Sequence, residues 1–281
     1  MRFVVTVLLT FFVGLPFFLG GRVTVADPPA AVSGDPEEVA FAAECDSSEQ
    51  RYVLLRSKEW KDDQSHDLLI ALHGHGSDRW QFVREGRGEC RAARDAALRH
   101  GMLFCSPDYR ARTSWMGPKA EADLVQIIKE LKTRHRIGKV IVSGGSMGGT
   151  SALTFAALHP ELVDGVVSLN GMANHLEFEG FPEAIAESFG AAKKSDPAEY
   201  KKRSAEYWPE RLTMPLAATT GGRDTIVPPG SVLRLTAVLR SLDRPVLSIH
   251  RPEGGHDTNY EDSLQAYEFV IAKVRDSAAT K

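Results

Sequence analysis

The sequence predicts an α/β fold, a mostly parallel eight-stranded sheet with helices on both faces. Three observations predict it. Short runs rich in β-branched and apolar residues alternate with amphipathic stretches of helical period from about residue 38 onward. Several of the runs, such as DLLIALH (67–73) and KVIVSG (139–144), are continuously apolar, as in strands covered on both faces. A glycine-rich turn then joins one such run directly to a helical one in IVSGGSMGGTSAL (141–153).

The elements follow in order. Strands are expected at 38–44, 51–56, 67–73, 101–107, 139–144, 164–170, 215–221 and 245–251. The clearest helices are expected at 80–99, 118–135, 147–159, 229–241 and 260–277, where apolar residues recur every three or four positions. Residues 171–213 are too long for a simple crossover and contain PEAIAESFGAAKK and PAEYKKRSAEYW. They read as a small helical cap inserted after a strand's C-terminal end, where ligands of open α/β sheets bind.

The N-terminus carries a different signal. Residues 1–26 combine Arg2, an apolar run from Phe3 to Leu19 and the small-residue ending Thr24-Val25-Ala26. This is the pattern of a signal peptide cleaved after Ala26; an uncleaved membrane anchor is the alternative. Residues 27–36, DPPAAVSGDP, form a flexible lead-in, and 37–281 form the folded domain. Export would place the domain in the periplasm or outside the cell. The body has no other long apolar run, so no membrane contact is expected after cleavage. A formal charge of −3 and a pI of about 6.3 give no basic excess to track a phosphate backbone, so no nucleic-acid partner is expected. Of Cys45, Cys90 and Cys105, the pair Cys90–Cys105 is the favoured disulfide, with three unpaired thiols as the alternative.

The glycine-rich turn narrows the chemistry. A dinucleotide fingerprint would need glycine at position 146, and a P-loop would need a lysine that is absent between Val142 and His159. What remains is G-x-S-x-G: Gly144-Gly145-Ser146-Met147-Gly148. Between a strand and a helix, this pattern presents a nucleophilic serine on a sharp turn. The hydroxyl then needs a base, and the base an acid, from loops after later strands. GGRDTIVPP supplies Asp224 and EGGHDTNY supplies His256. Three rivals are weaker. Asp257 adjoins the histidine, Asp243 lies at the opposite end of the sheet, and His250 belongs to a strand and is expected to pack. Donors for an oxyanion are expected from the Met147 amide and from the loop HGHGSD, by the His75 amide or, alternatively, that of Gly76. His73 and His75 alone supply too few ligands for a metal site, so no metal or cofactor is expected. Trp115 and Met116, in TSWMGPKAEAD, and the cap residues Phe178 and Phe181 are candidates for the substrate pocket.

LHGHGSD, GGSMGGTSALTFAALHP, the run from Asp196 to Pro229, and EGGHD together resemble the α/β-hydrolase superfamily. They are most similar to single-domain esterases of its prolyl-oligopeptidase and dienelactone-hydrolase branch, and the resemblance spans nearly all of residues 50–277. It implies a serine hydrolase acting through an acyl-enzyme. No stretch reads as a β-propeller, and Met147 stands where peptidase relatives often carry Tyr. Both favour carboxylic esters over peptides, with an acylated polysaccharide or its fragments as one substrate class. A small serine peptidase and a non-catalytic binding protein are the alternatives, and the oligomeric state is open.

Overall fold

The computed structural model describes residues 34–279, which belong to one compact unit. The expected signal segment and residues 27–33 of the lead-in lie outside them. All eight strands form a single sheet: β1 (Glu37–Ala42), β2 (Glu49–Leu55), β3 (His66–Leu72), β4 (Leu103–Pro107), β5 (Ile137–Gly145), β6 (Gly165–Leu169), β7 (Leu216–Gly221) and β8 (Val246–Arg251). Their spatial order is β1-β2-β4-β3-β5-β6-β7-β8. Strand β2 runs antiparallel to both neighbours, and every other pairing is parallel.

Alternation within the central strands divides the core. Leu68, Ile70, Leu72, Val140 and Val142 face one side of the sheet; Leu69, Ala71 and Ile141 face the other. The first side is covered by α3 (Pro118–Arg134), α4 (Met147–Leu158) and α7 (Gly230–Ser241); the second by α2 (Gly88–Arg99) and α8 (Tyr260–Ala279). Pro118 opens α3 at a position where its missing N–H costs nothing, and Leu124, Ile127, Ile128 and Leu131 make its buried stripe. Helix α4 is buried from Met147 to Ala157 and so is apolar or small all round.

Two expectations are corrected. The helix expected over 80–99 is broken into α1 (Gln81–Arg84) and α2 by the segment Glu85–Arg87. At Gly88 the backbones of α2 and α8 touch, since a Cβ there would sit 2.5 Å from the Tyr260 amide nitrogen. The Cys90–Cys105 disulfide is absent, because Cys90 is buried on the α2 side of the sheet and Cys105 on the α3 side.

The insertion between β6 and β7 carries α5 (Pro182–Phe189), α6 (Pro197–Lys202) and two short 3-10 turns. Asp196 caps α6 by accepting the Glu199 amide at 3.1 Å. The fully buried Arg203 fastens the insertion to the domain. It pairs with Glu121 of α3 at 2.8 Å and Glu199 at 2.6 Å, and donates to the Met116 carbonyl at 2.7 Å.

Candidate active site

The C-terminal end of β5 turns straight into α4, and Ser146 stands at the turn with φ 56° and ψ −118°. This is backbone that L-residues rarely adopt and that the surroundings must hold in place. The Ser146 amide donates to the Leu169 carbonyl at 2.8 Å, tying the turn to the end of β6. Two glycines make the geometry possible. A Cβ at Gly144 would lie 2.5 Å from the Gly148 carbonyl carbon, and one at Gly148 would overlap the Leu72 carbonyl. The turn therefore closes only with glycine on both sides of the serine.

The loops after β7 and β8 bring two more side chains to Ser146. His256 Nε2 is 2.8 Å from Ser146 Oγ, and His256 Nδ1 is 2.7 Å from Asp224 Oδ2. The other Asp224 oxygen accepts the amides of Ile226 at 3.0 Å and Val227 at 2.9 Å. Its carboxylate is almost wholly buried and turns one oxygen to the imidazole. The His256 loop is anchored in turn. Thr258 donates to Asn170 Oδ1 and lies 2.7 Å from Thr219 Oγ1, linking the loop to the ends of β6 and β7. Gly221 lets the two loops cross, since a Cβ there would overlap the Gly255 carbonyl. Such a chain can pass the hydroxyl proton to the imidazole while the carboxylate fixes the ring and steadies its charged form.

The amide of Met147 opens α4 and has no acceptor within the helix, so it points its N–H beside Ser146 at the positive end of the helix dipole. In the turn after β3, Gly74 donates to Gln81 Oε1 at 2.7 Å, and Ser77 donates to the Gly74 carbonyl at 3.2 Å. Gly76 donates to the Arg112 carbonyl at 2.7 Å and is thereby engaged, which corrects the alternative that made it an oxyanion donor. Among the described residues, the His75 amide is the one of these four left without an acceptor. The His73 imidazole turns to the carbonyls of Gly74 and Asp108, and burial lowers its pKa.

Ser146 and His256 open into a cavity of about 240 Å³. Of the four expected pocket residues, Phe181 lines it, and Trp115, Met116 and Phe178 do not. Trp115 and Met116 have φ of 43° and 57° and are fully buried in the core. Trp115 stands behind the pocket wall, donating its indole N–H to His75 Nδ1 at 3.1 Å; the His75 ring in turn lies 4.3 Å from that of Phe181. This bond leaves Nε2 to carry the His75 proton, and burial lowers the pKa of the ring. Phe178 lines a neighbouring cavity instead.

Sequence reasoning missed Arg87 and Glu89, which also line the Ser146 cavity and are joined by a 2.5 Å ion pair. The break between α1 and α2 puts them there, and Gly86 and Gly88, two apart in a helical pattern, were its signal. His250, expected to pack, is exposed on the edge strand β8 and bonded to Thr220 at 2.9 Å.

A description of the prolyl oligopeptidase family matches residues 109–274, more than half of the chain and inclusive of Ser146, Asp224 and His256. The chain belongs to the prolyl oligopeptidase family. It has the α/β-hydrolase fold. Among solved structures, a ferulic acid esterase superposes with a TM-score of 0.67 at 17% identity, over 88% of this chain and 99% of that one. A fluorophosphonate-binding serine hydrolase of Staphylococcus aureus gives 0.64 at 17% identity, over 86% and 98%. The acylaminoacyl peptidase of Pyrococcus horikoshii gives 0.66 at 16% identity, over 85% of this chain and 42% of the peptidase. The chain thus spans well under half the length of the first peptidases it matches, 36% and 42%. None of the curated proteins compared matches it.

Proposed function

We propose that the chain is an exported esterase that hydrolyses carboxylic esters through an acyl-enzyme on Ser146. The observation that carries this is the hydrogen-bonded series Ser146–His256–Asp224 at the strand–helix turn. Ser146 Oγ attacks the ester carbonyl as His256 Nε2 takes its proton. The amides of Met147 and His75 receive the developing oxyanion. Collapse expels the alcohol, protonated by His256, and leaves the acyl group on Ser146. Water, deprotonated by His256, then releases the acid and restores the serine. Asp224 holds the Nδ1–H tautomer throughout.

Two points favour esters over peptides. The chain matches nearly the full length of the ferulic acid esterase and the S. aureus hydrolase, but less than half of the peptidases. An ester's alcohol also leaves with less help than an amide's nitrogen, so a compact site suffices. The signal-like N-terminus and the likeness to a ferulic acid esterase together favour acylated polysaccharide fragments outside the cytoplasm. The test compares nitrophenyl acetate and methyl ferulate with acyl-peptide nitroanilides. Ester turnover exceeding amide turnover by on the order of a hundredfold or more in kcat/KM is expected. Comparable rates on amides would replace the esterase reading with the peptidase one.

A further inference from the structure

A second cavity, of about 400 Å³, adjoins the one at Ser146. Ile226 lines both. It is 49% exposed and stands two places after the buried Asp224. The opposite boundary is a turn of the insertion, with Phe178 in the second cavity and Phe181 in the first. Gly180 keeps that turn tight, since a Cβ there would lie 2.5 Å from the Phe178 ring.

The walls of the second cavity define what it takes. Apart from Thr225, its polar side chains have partners within the protein. Glu177 pairs with Arg234 at 2.7 Å, and Glu179 with Lys193 at 2.8 Å. Asn174 bonds to Glu206 at 2.8 Å and caps the amides of Leu176 and Glu177, while Ser231 accepts the Ala173 amide at 2.9 Å. What is left for a ligand is the Thr225 side chain and the apolar surface of Met172, Phe178, Ile226 and Pro228. A site whose polar groups are mostly paired gains chiefly from an apolar occupant.

We infer that the second cavity is a subsite for an aryl or medium-length alkyl group of the substrate, and that Ile226 is the specificity-determining partition such a group must cross from Ser146. This rests on the esterase reading above. The apolar group can belong to the acyl half or to the alcohol half, and the two halves are separable by experiment.

The test measures kcat/KM for two ester series on the full chain and on Ile226→Ala and Ile226→Trp. One series lengthens the acyl group from acetyl to hexanoyl and cinnamoyl on a constant nitrophenol. The other lengthens the alcohol on a constant acetate. Both substitutions keep the backbone amide that donates to Asp224. In one series, Ile226→Ala should raise the long-to-short ratio about tenfold and Ile226→Trp should lower it about tenfold; the series that responds names the half. Ratios within about twofold across all three proteins in both series, with Ser146 still labelled by a fluorophosphonate, would overturn the subsite alone. A wild type that is not labelled would overturn the esterase reading and the subsite with it.

Discussion

Asp224 divides its carboxylate between two tasks: Oδ1 accepts two amides of its own loop, and Oδ2 lies 2.7 Å from His256 Nδ1. The two amides fix the carboxylate, so it can fix the imidazole. Asp224→Asn keeps the shape but offers an amide N–H where a carboxylate oxygen stood, which disfavours the productive tautomer. The expected loss in kcat on nitrophenyl acetate is on the order of 10⁴, with little change in thermal stability.

The turn at Ser146 depends on Gly148 for space. Gly148→Ala should drive a methyl into the Leu72 carbonyl and destabilise the fold by about 2 kcal/mol or more. Gly86→Ala, where a Cβ meets nothing within 4 Å, should change stability by less than about 0.5 kcal/mol. Urea unfolding of the two variants checks the contrast.

Arg203 is fully buried between Glu121 and Glu199. Arg203→Met would strand two carboxylates beneath the insertion. A loss of roughly 3–5 kcal/mol is expected, measured by the same unfolding curves.

Glu121 sets a pH dependence of stability. Burial raises its pKa, but the hydrogen bond from His159 and the charge of Arg203 outweigh this and hold it at about 2, against an ordinary 4.5. A carboxyl lowered by folding contributes stability that is complete above its unfolded value and lost as pH falls through the folded one. Unfolding midpoints should therefore drop between about pH 4.5 and 2, and Glu121→Gln should flatten that drop. His159 is raised, chiefly by its bond to Glu121, so its contribution is full below its ordinary 6.5 and lost as pH rises through the folded value. Glu121→Gln should reduce that loss as well, leaving the smaller part due to Glu161.

The three thiols should behave unequally. Cys45 is exposed, whereas burial pushes the Cys90 thiol up to about 12 and Cys105 higher still. One thiol should react with a disulfide reagent at pH 8 in the native protein and three after denaturation, and reductant should leave the melting temperature unchanged.

The legible parts were those set by local rules. The continuous apolar runs marked the strands, and glycines at 144 and 148 marked the turn because only glycine fits beside the Gly148 and Leu72 carbonyls. Asp224 and His256 followed from their loops after β7 and β8. The pocket wall was not legible, because it depends on which way a loop faces. Positive φ at Trp115 and Met116 goes with side chains sunk in the core, and no residue type at those positions announces it. Arg87 and Glu89 reached the cavity through a helix break next to Gly88, whose close neighbour in α8, Tyr260, lies some 170 residues away in sequence. The Cys90–Cys105 pairing failed because sequence proximity of a helix and a strand does not say which face of the sheet each thiol occupies.

The most direct test of the central claim is to treat the purified protein with a fluorophosphonate and map the adduct by peptide mass spectrometry. One adduct is expected, on Ser146, absent from Ser146→Ala and greatly slowed in His256→Ala. A folded wild type that takes no label, or takes it on another residue, would contradict it.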